Sequence, residues 1–228
     1  MKNGFFLLIG LLLGGILASC DETNEIDEYA NWKVRNERFL DSIAEVAKAN
    51  PDEWKVIRTY TQSGSQSGSG NVGGTVEGEV DDYIYVKVIQ SAVKLSEANG
   101  GLGEEACRKV LYTDSVYVNY KGTLINDVVF DKSFSTPDLD YAVATPVVFG
   151  VNNSSLIAGF VTALQQMREG DHSLEQWQYK GDRWEVYIPY NLGYGTKDNS
   201  SIPAYSLLKF DLALVGVWGL GEDKPAWN

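Results

Sequence analysis

The sequence predicts an α+β domain: antiparallel strands forming a sheet that can wrap one short helix, with a helical extension in front. Three observations predict it. Apolar residues alternate with period two in four separate stretches after residue 82. A single helical stretch, about Ser154 to Met167, lies among them. Ahead of them, residues 29–49 carry apolar residues at helical spacing. Strands in series with one helix make a sheet with the helix laid on one face.

The N-terminal end reads as an export signal. Lys2 supplies positive charge, and an apolar run follows from Phe5 to Ala18. The run is short for a membrane span, which takes about 20 residues. Leu17-Ala18-Ser19-Cys20 comes next and resembles the lipobox of bacterial lipoproteins. The resemblance implies a signal peptide over 1–19, lipid on Cys20, and a protein tethered to a membrane of the bacterial cell envelope, outside the cytoplasm. Residues 20–28, beginning Cys20-Asp21-Glu22, are acidic and polar and read as the tether.

Residues 29–60 read as a helical extension. Trp32, Phe39, Leu40, Ile43, Val46 and Ala47 share one face, and Pro51 marks the stop. Such a helix packs on its own domain or on a partner, and its stripe is too short for a coiled coil. Residues 61–81 begin as a Gly/Ser-rich stretch that cannot bury enough apolar surface to fold, so they read as linker or loop. The main domain is expected over 82–218, with a tail over 219–228. Within it, Ile84, Val86 and Val88 share a face, as do Val116, Val118 and Tyr120; Trp184, Val186 and Ile188; and Leu208, Phe210, Leu212 and Leu214. No internal repeat is present.

Composition removes several function classes. The net charge of −12 argues against nucleic acid as a partner. With Cys20 lipidated, Cys107 is the remaining thiol, so no internal disulfide is expected and a packed core must carry stability. His172 is the sole histidine, which removes most serine, cysteine and zinc hydrolase arrangements, and it reads as a loop residue. No glycine loop follows a strand in the manner of a phosphate cradle. The pairs Glu104-Glu105 and Asp81-Asp82 read as solvated surface. No metal and no cofactor is expected.

What remains distinctive is aromatic and aliphatic. Val118-Asn119-Tyr120-Lys121-Gly122 is followed by Phe130-Asp131, then Phe149, then Leu156-Ile157-Ala158-Gly159-Phe160 and Ala163-Leu164-Gln165-Gln166-Met167. Later come Leu192-Gly193-Tyr194-Gly195, Ile202-Pro203 and Leu208-Lys209-Phe210-Asp211-Leu212. In this order and spacing the series resembles the FKBP-type peptidyl-prolyl isomerases, over about residues 82–217. The resemblance implies an antiparallel half-barrel around the short helix, with a hydrophobic pocket between them. It implies catalytic roles for Tyr120, Asp131, Ile157 and Tyr194. The backbone N–H of Ile157 and the hydroxyl of Tyr194 would hold substrate carbonyls, and Asp131 would be the acid at the rim. Phe130, Val147, Phe149, Leu156, Phe160, Ile202 and Phe210 would bind substrate, with Phe160 where the family usually has a tryptophan floor.

The implied activity is rotation of a proline amide in a polypeptide client, without a covalent intermediate. The alternative is a non-catalytic lipoprotein that holds proline or apolar segments in the same pocket. The chain departs from the family pattern at residues 134–146, a longer segment than the shortest members have. It also departs at residues 171–182, an insertion bounded by Gly170-Asp171 and Gly181-Asp182 and expected to be a surface hairpin loop. The oligomeric state is not legible.

Overall fold

Alternation along a strand sends successive side chains to opposite faces, and in this molecule each face meets a helix. The computed structural model describes residues 27–59, 78–175 and 181–225. The expected signal segment, Cys20, the expected tether through residue 26, most of the Gly/Ser-rich stretch and residues 176–180 lie outside the described residues. Residues 27–30 form a turn in which the Ala30 N–H donates to the Asp27 carbonyl at 3.0 Å.

The elements of the main unit are α1 (Trp32–Ala49), β1 (Trp54–Arg58), β2 (Tyr83–Gln90), α2 (Ala92–Ala98), β3 (Ser115–Thr123), β4 (Val129–Lys132), β5 (Val147–Gly150), α3 (Ala158–Gln166), β6 (Arg183–Ile188) and β7 (Leu208–Trp218). They build one antiparallel sheet in the order β1-β2-β6-β7-β3-β4. The outer edge of β3 is shared: β5 pairs with Ser115 to Val118, and β4 with Lys121 to Thr123. Among the described residues no helix is long and apolar enough to cross a membrane.

The inner face carries the alternating residues that the sequence marks. Ile84, Val86, Val116, Val118, Trp184, Val186, Ile188, Leu208 and Leu212 are all buried. Helix α3 lies against this face. Gly159 permits the approach, since a Cβ there would stand 2.3 Å from Cγ2 of Ile188. Phe160, one residue on, meets the ring of Phe210 at 5.3 Å.

The outer face is covered at one end by α1. Leu40 and Ala47 join Trp54, Tyr85, Tyr187 and Leu207 in a second apolar cluster. Tyr85 and Tyr187 are cross-strand partners, and Trp54 stacks on Tyr187 with centroids 5.6 Å apart. The helix is also pinned by hydrogen bonds. Trp32 Nε1 donates to Ser206 Oγ at 2.8 Å, and Asn36 Oδ1 accepts the Leu207 N–H at 2.8 Å. Asn36 is therefore a buried polar residue with both ends satisfied, because its Nδ2 donates to the Trp32 carbonyl. So α1 packs on its own domain.

Several expectations are corrected. Val46 is 42% exposed and lies off the packed face, whose remaining place is taken by Asn36. Trp54–Arg58, read as part of the helical extension, is a strand that extends the sheet. The strand expected around Ile84, Val86 and Val88 stops at Gln90, and Ser91 caps a helix that the sequence does not announce, α2, its Oγ accepting the Lys94 N–H at 3.4 Å. Asp81 and Asp82 belong to a 3-10 turn over Val80–Asp82, closed by reciprocal bonds between Glu79 and Asp82.

The segment expected as a surface hairpin has buried ends. Asp171 is 1% exposed and accepts hydrogen bonds from Ser96 Oγ and from the N–H and Oγ of Ser173. These bonds, Ser173 first, hold its carboxyl down at about 2. Asp182 is 5% exposed and accepts the N–H groups of Ala92 and Arg168, both at 2.8 Å. Burial pushes its carboxyl up, against the pull of those two donors. Each aspartate thus fastens one end of the segment to α2 or its entrance. His172 lies in the turn beyond Asp171, its Nε2 3.0 Å from Glu169 Oε1.

Candidate active site

Five elements bring aromatic rings together on the inner face. Tyr120 comes from β3, Phe130 from β4, Phe149 from β5, Phe160 from α3 and Phe210 from β7. Tyr120 stands 5.9 Å from Phe149, 6.1 Å from Phe160 and 6.3 Å from Phe210, centroid to centroid. Phe149 meets Phe160 edge-on at 5.8 Å, and Phe130 meets Phe210 edge-on at 5.5 Å. These are the separations that aromatic quadrupoles favour. Phe160 and Phe210 are the closed floor, each 4% exposed, whereas Tyr120, Phe130 and Phe149 are half-buried around it. The ring cluster is thus closed at its floor and partly open along a cleft at its three half-buried rings.

A β-bulge aims two of these residues. Gly122 pairs with Asp131 and Thr123 with Val129, so Phe130 is the extra residue of β4. Ordinary alternation would turn Phe130 and Asp131 to opposite faces. The bulge breaks the alternation, and both side chains serve the same cleft. Gly122 leaves room for the result: a Cβ there would stand 2.5 Å from Phe130 Cζ and 3.0 Å from Phe210 Cε1.

The polar groups gather at the rim. The Tyr120 hydroxyl donates to Asp131 Oδ2 at 2.8 Å, while Asp131 Oδ1 accepts the Lys132 N–H at 2.8 Å. Burial first, then the hydrogen bond and charge of Asp131, push the Tyr120 phenol far above its ordinary value. Tyr194 is 39% exposed, in the loop after the 3-10 turn Tyr190–Leu192. Burial and then Asp131 raise its phenol as well, so Tyr194 stands within the field of the same carboxylate. Both phenols remain protonated donors at neutral pH.

Ile157 and Leu156 form the entrance to α3 and are half-buried. The Ile157 carbonyl accepts the N–H groups of Phe160 and Val161 and so starts the helix. Its own N–H donates to no acceptor among the described residues. It is an open donor at a helix N-terminus, where the helix dipole adds to its pull on an oxygen.

Six of the expected residues are thus brought into contact: Tyr120, Phe130, Asp131, Phe149, Phe160 and Phe210. Val147, two residues before Phe149 on β5, pairs with Val118 and is half-buried. Ile202 is buried inside the loop closed by the Asn199–Ile202 bridge. Ser133 was not singled out from sequence. Its Oγ accepts the Tyr120 N–H at 2.9 Å, and its N–H donates to the Tyr120 carbonyl at 2.9 Å. It clamps the end of β4 to the residue whose hydroxyl holds Asp131. The only sequence signal was its place two residues after Asp131. Among the described residues no group of three or more His, Cys, Asp or Glu side chains is gathered as metal ligands.

The family model described as FKBP-type peptidyl-prolyl cis-trans isomerase matches residues 107–215. A macrophage infectivity potentiator of Trypanosoma cruzi is 36% identical over 114 residues, 50% of this chain and 48% of that protein. The FKBP-type 22 kDa peptidyl-prolyl cis-trans isomerase of Escherichia coli is 32% identical over 133 residues, 58% of this chain and 53% of that one. The chain thus spans about half the length of these two relatives. FK506-binding protein 2 of Aspergillus oryzae is 30% identical over 120 residues, 53% of this chain and 77% of its own length. The matched span takes in every ring of the cleft, and more than two thirds of one relative is covered at this identity, so the chain belongs to the family of FKBP-type peptidyl-prolyl cis-trans isomerases.

Proposed function

We propose that the cleft is a peptidyl-prolyl cis-trans isomerase site acting on proline-containing polypeptides. One observation carries the reading. The Tyr120 hydroxyl is tied to Asp131 at 2.8 Å on the rim of a ring cluster whose floor, Phe160 and Phe210, is closed. A hydrocarbon ring would lie against the open side of these aromatics, with the rim hydroxyls beside it.

The chemistry asks for little more. Proline's tertiary amide has cis and trans forms of similar energy that exchange in tens to hundreds of seconds. The barrier, about 18–20 kcal/mol, is amide resonance. Rotation breaks no covalent bond, so it needs neither nucleophile nor electron transfer. The twisted amide is less charge-separated than the planar one. A dry aromatic cleft withdraws the water that favours the planar form. The Ile157 N–H and the Tyr194 hydroxyl would then hold neighbouring carbonyls in the twisted arrangement. Asp131 orients the Tyr120 hydroxyl at the rim.

The test is relaxation of a Leu-Pro peptide by the chain from residue 21 onward. Acceleration over buffer is expected, with a loss of about three- to tenfold in kcat/KM for Tyr194→Phe and for Asp131→Ala. No acceleration by the parent chain sinks the reading. Binding without acceleration would return the site to the peptide-holding alternative.

Leu17-Ala18-Ser19-Cys20 after an apolar run supports a lipid-anchored form in a bacterial cell envelope, with exported polypeptides as clients. Growth with a clickable fatty acid should label the parent and not Cys20→Ser. An unlabelled parent overturns the anchor.

A further inference from the structure

On the outer side of the sheet, α1 does more than cover tyrosines. Between α1, the Val80–Asp82 turn and the Pro189–Tyr190 corner lies a cavity of about 250 Å³. That is smaller than the space a drug-sized ligand takes, and it suits one long side chain. Its floor is apolar: Leu40 from α1, Leu207 before β7, and Val80, which is exposed. Its lining is also acidic, with Asp41 and Glu37 from α1 and Glu79 and Asp81 from the turn.

Not all of these carboxylates are free. Glu37 has Lys33 at 3.6 Å, and Glu79 closes its own turn with the Asp82 backbone. Asp41 and Asp81 have no cationic partner among the described residues. Their charge is felt inside the protein. Both add to the burial that lifts the Tyr85 phenol to about 12. A neighbouring acceptor is also unanswered: Asn191 gives its Nδ2 to the Asp81 carbonyl at 2.8 Å, while its buried Oδ1 has no donor among the described residues. The cavity thus combines an apolar floor with two carboxylates, Asp41 and Asp81, that have no cation among the described residues. The complement is a side chain with an aliphatic stem and a cationic, donor-rich end.

We propose that this cavity is a second peptide subsite that takes a lysine or arginine side chain of the bound polypeptide. The stem lies on Leu40, Val80 and Leu207, and the charge lies between Asp41 and Asp81. The subsite rests on the isomerase reading only for the source of that side chain. The corner that lines it is the segment that leads on to Tyr194: the Gly195 N–H donates to the Tyr190 carbonyl at 2.7 Å. A client held by its proline at Tyr194 therefore has a cation site built from the same loop. The N-terminal helix supplies one wall of it.

The test uses the full chain with labelled methyl groups and two proline-free probes, Lys-Leu-Lys and Glu-Leu-Glu. The lysine peptide is expected to shift the methyl signals of Leu40, Val80 and Leu207, and the glutamate peptide to leave them in place. Asp41→Asn with Asp81→Asn should weaken the lysine peptide about fivefold. Salt at about 1 M should do likewise. Equal response to the two probes overturns the subsite, as does unchanged affinity in the double variant. Relaxation of the Leu-Pro peptide is measured in parallel and should be the same in the double variant. If that relaxation is absent while the lysine-specific shifts remain, the isomerase reading fails and the subsite stands.

Discussion

The two faces of the sheet use the same residue types for opposite ends. On the outer face Tyr85, Tyr187 and Trp54 lie under α1, which seals them into a core. On the inner face Tyr120, Phe130 and Phe149 ring the floor formed by Phe160 and Phe210, and they are half-buried rather than sealed. The tyrosine hydroxyls show the difference. Tyr85 gives its proton to the Val80 carbonyl at 2.8 Å, within the fold. Tyr120 donates its hydrogen bond to a carboxylate exposed at the rim. An aromatic cluster becomes core or cleft according to whether a helix closes it.

The largest expected effects test that contrast with one substitution on each face. Trp54→Ala and Phe160→Ala each remove a buried ring, at a cost of about 3–5 kcal/mol. Thermal melts should show both losses, as a fall of about 2–4 °C per kcal/mol in a chain of this size. Proline-peptide affinity should collapse in Phe160→Ala alone. If Trp54→Ala, still folded, lost it equally, the separation of roles would be wrong.

A smaller effect lies in pH. The Tyr85 phenol is raised to about 12 by burial, then by its acidic and phenolic neighbours. Below about pH 10 the phenol is protonated in both folded and unfolded chains, and its full contribution to stability is present. Above that the unfolded chain ionises first, so stability falls as pH rises toward 12, by about 2–3 kcal/mol. Urea unfolding between pH 9 and pH 11.5 should show the slope, and Tyr85→Phe should flatten part of it. An unchanged slope would mean that α1 does not shield this ring.

The smallest effect belongs to Val46. Sequence periodicity puts it on the packed face of α1, but it is 42% exposed. Val46→Thr should change unfolding free energy by less than about 0.5 kcal/mol. A loss above about 1 kcal/mol would restore it to the core.

What was legible in the sequence follows from these cases. Strands with one apolar face, such as Trp184-Glu185-Val186-Tyr187-Ile188, declare themselves by alternation, and the cleft residues lie on such strands or in a motif of fixed order. The outer cluster was harder to read, because Tyr85 and Tyr187 occupy the positions that alternation assigns to solvent. Only the arrival of α1 buries them. Strand β1 was missed because it has five residues, two of them cations, directly after a helix. Helix α2 was missed because Ser91-Ala92-Val93 continues an alternating run, and its start depends on Asp182, some 90 positions away in sequence. The bulge at Phe130 is invisible without the pairing register, yet it decides that Phe130 and Asp131 share a cleft.

The strand order also sets a schedule. β7 stands between β6 and β3 and carries Phe210, yet among the described strands it comes last in chain order. Until residues 208–218 are available, β3 with its two edge strands and the β1-β2-β6 group are separate pieces with no shared hydrogen bonds. Closure is thus a late event of high sequence separation, which makes for slow folding. The floor of the ring cluster is therefore complete only after the strand that carries Phe210 has joined both its neighbours.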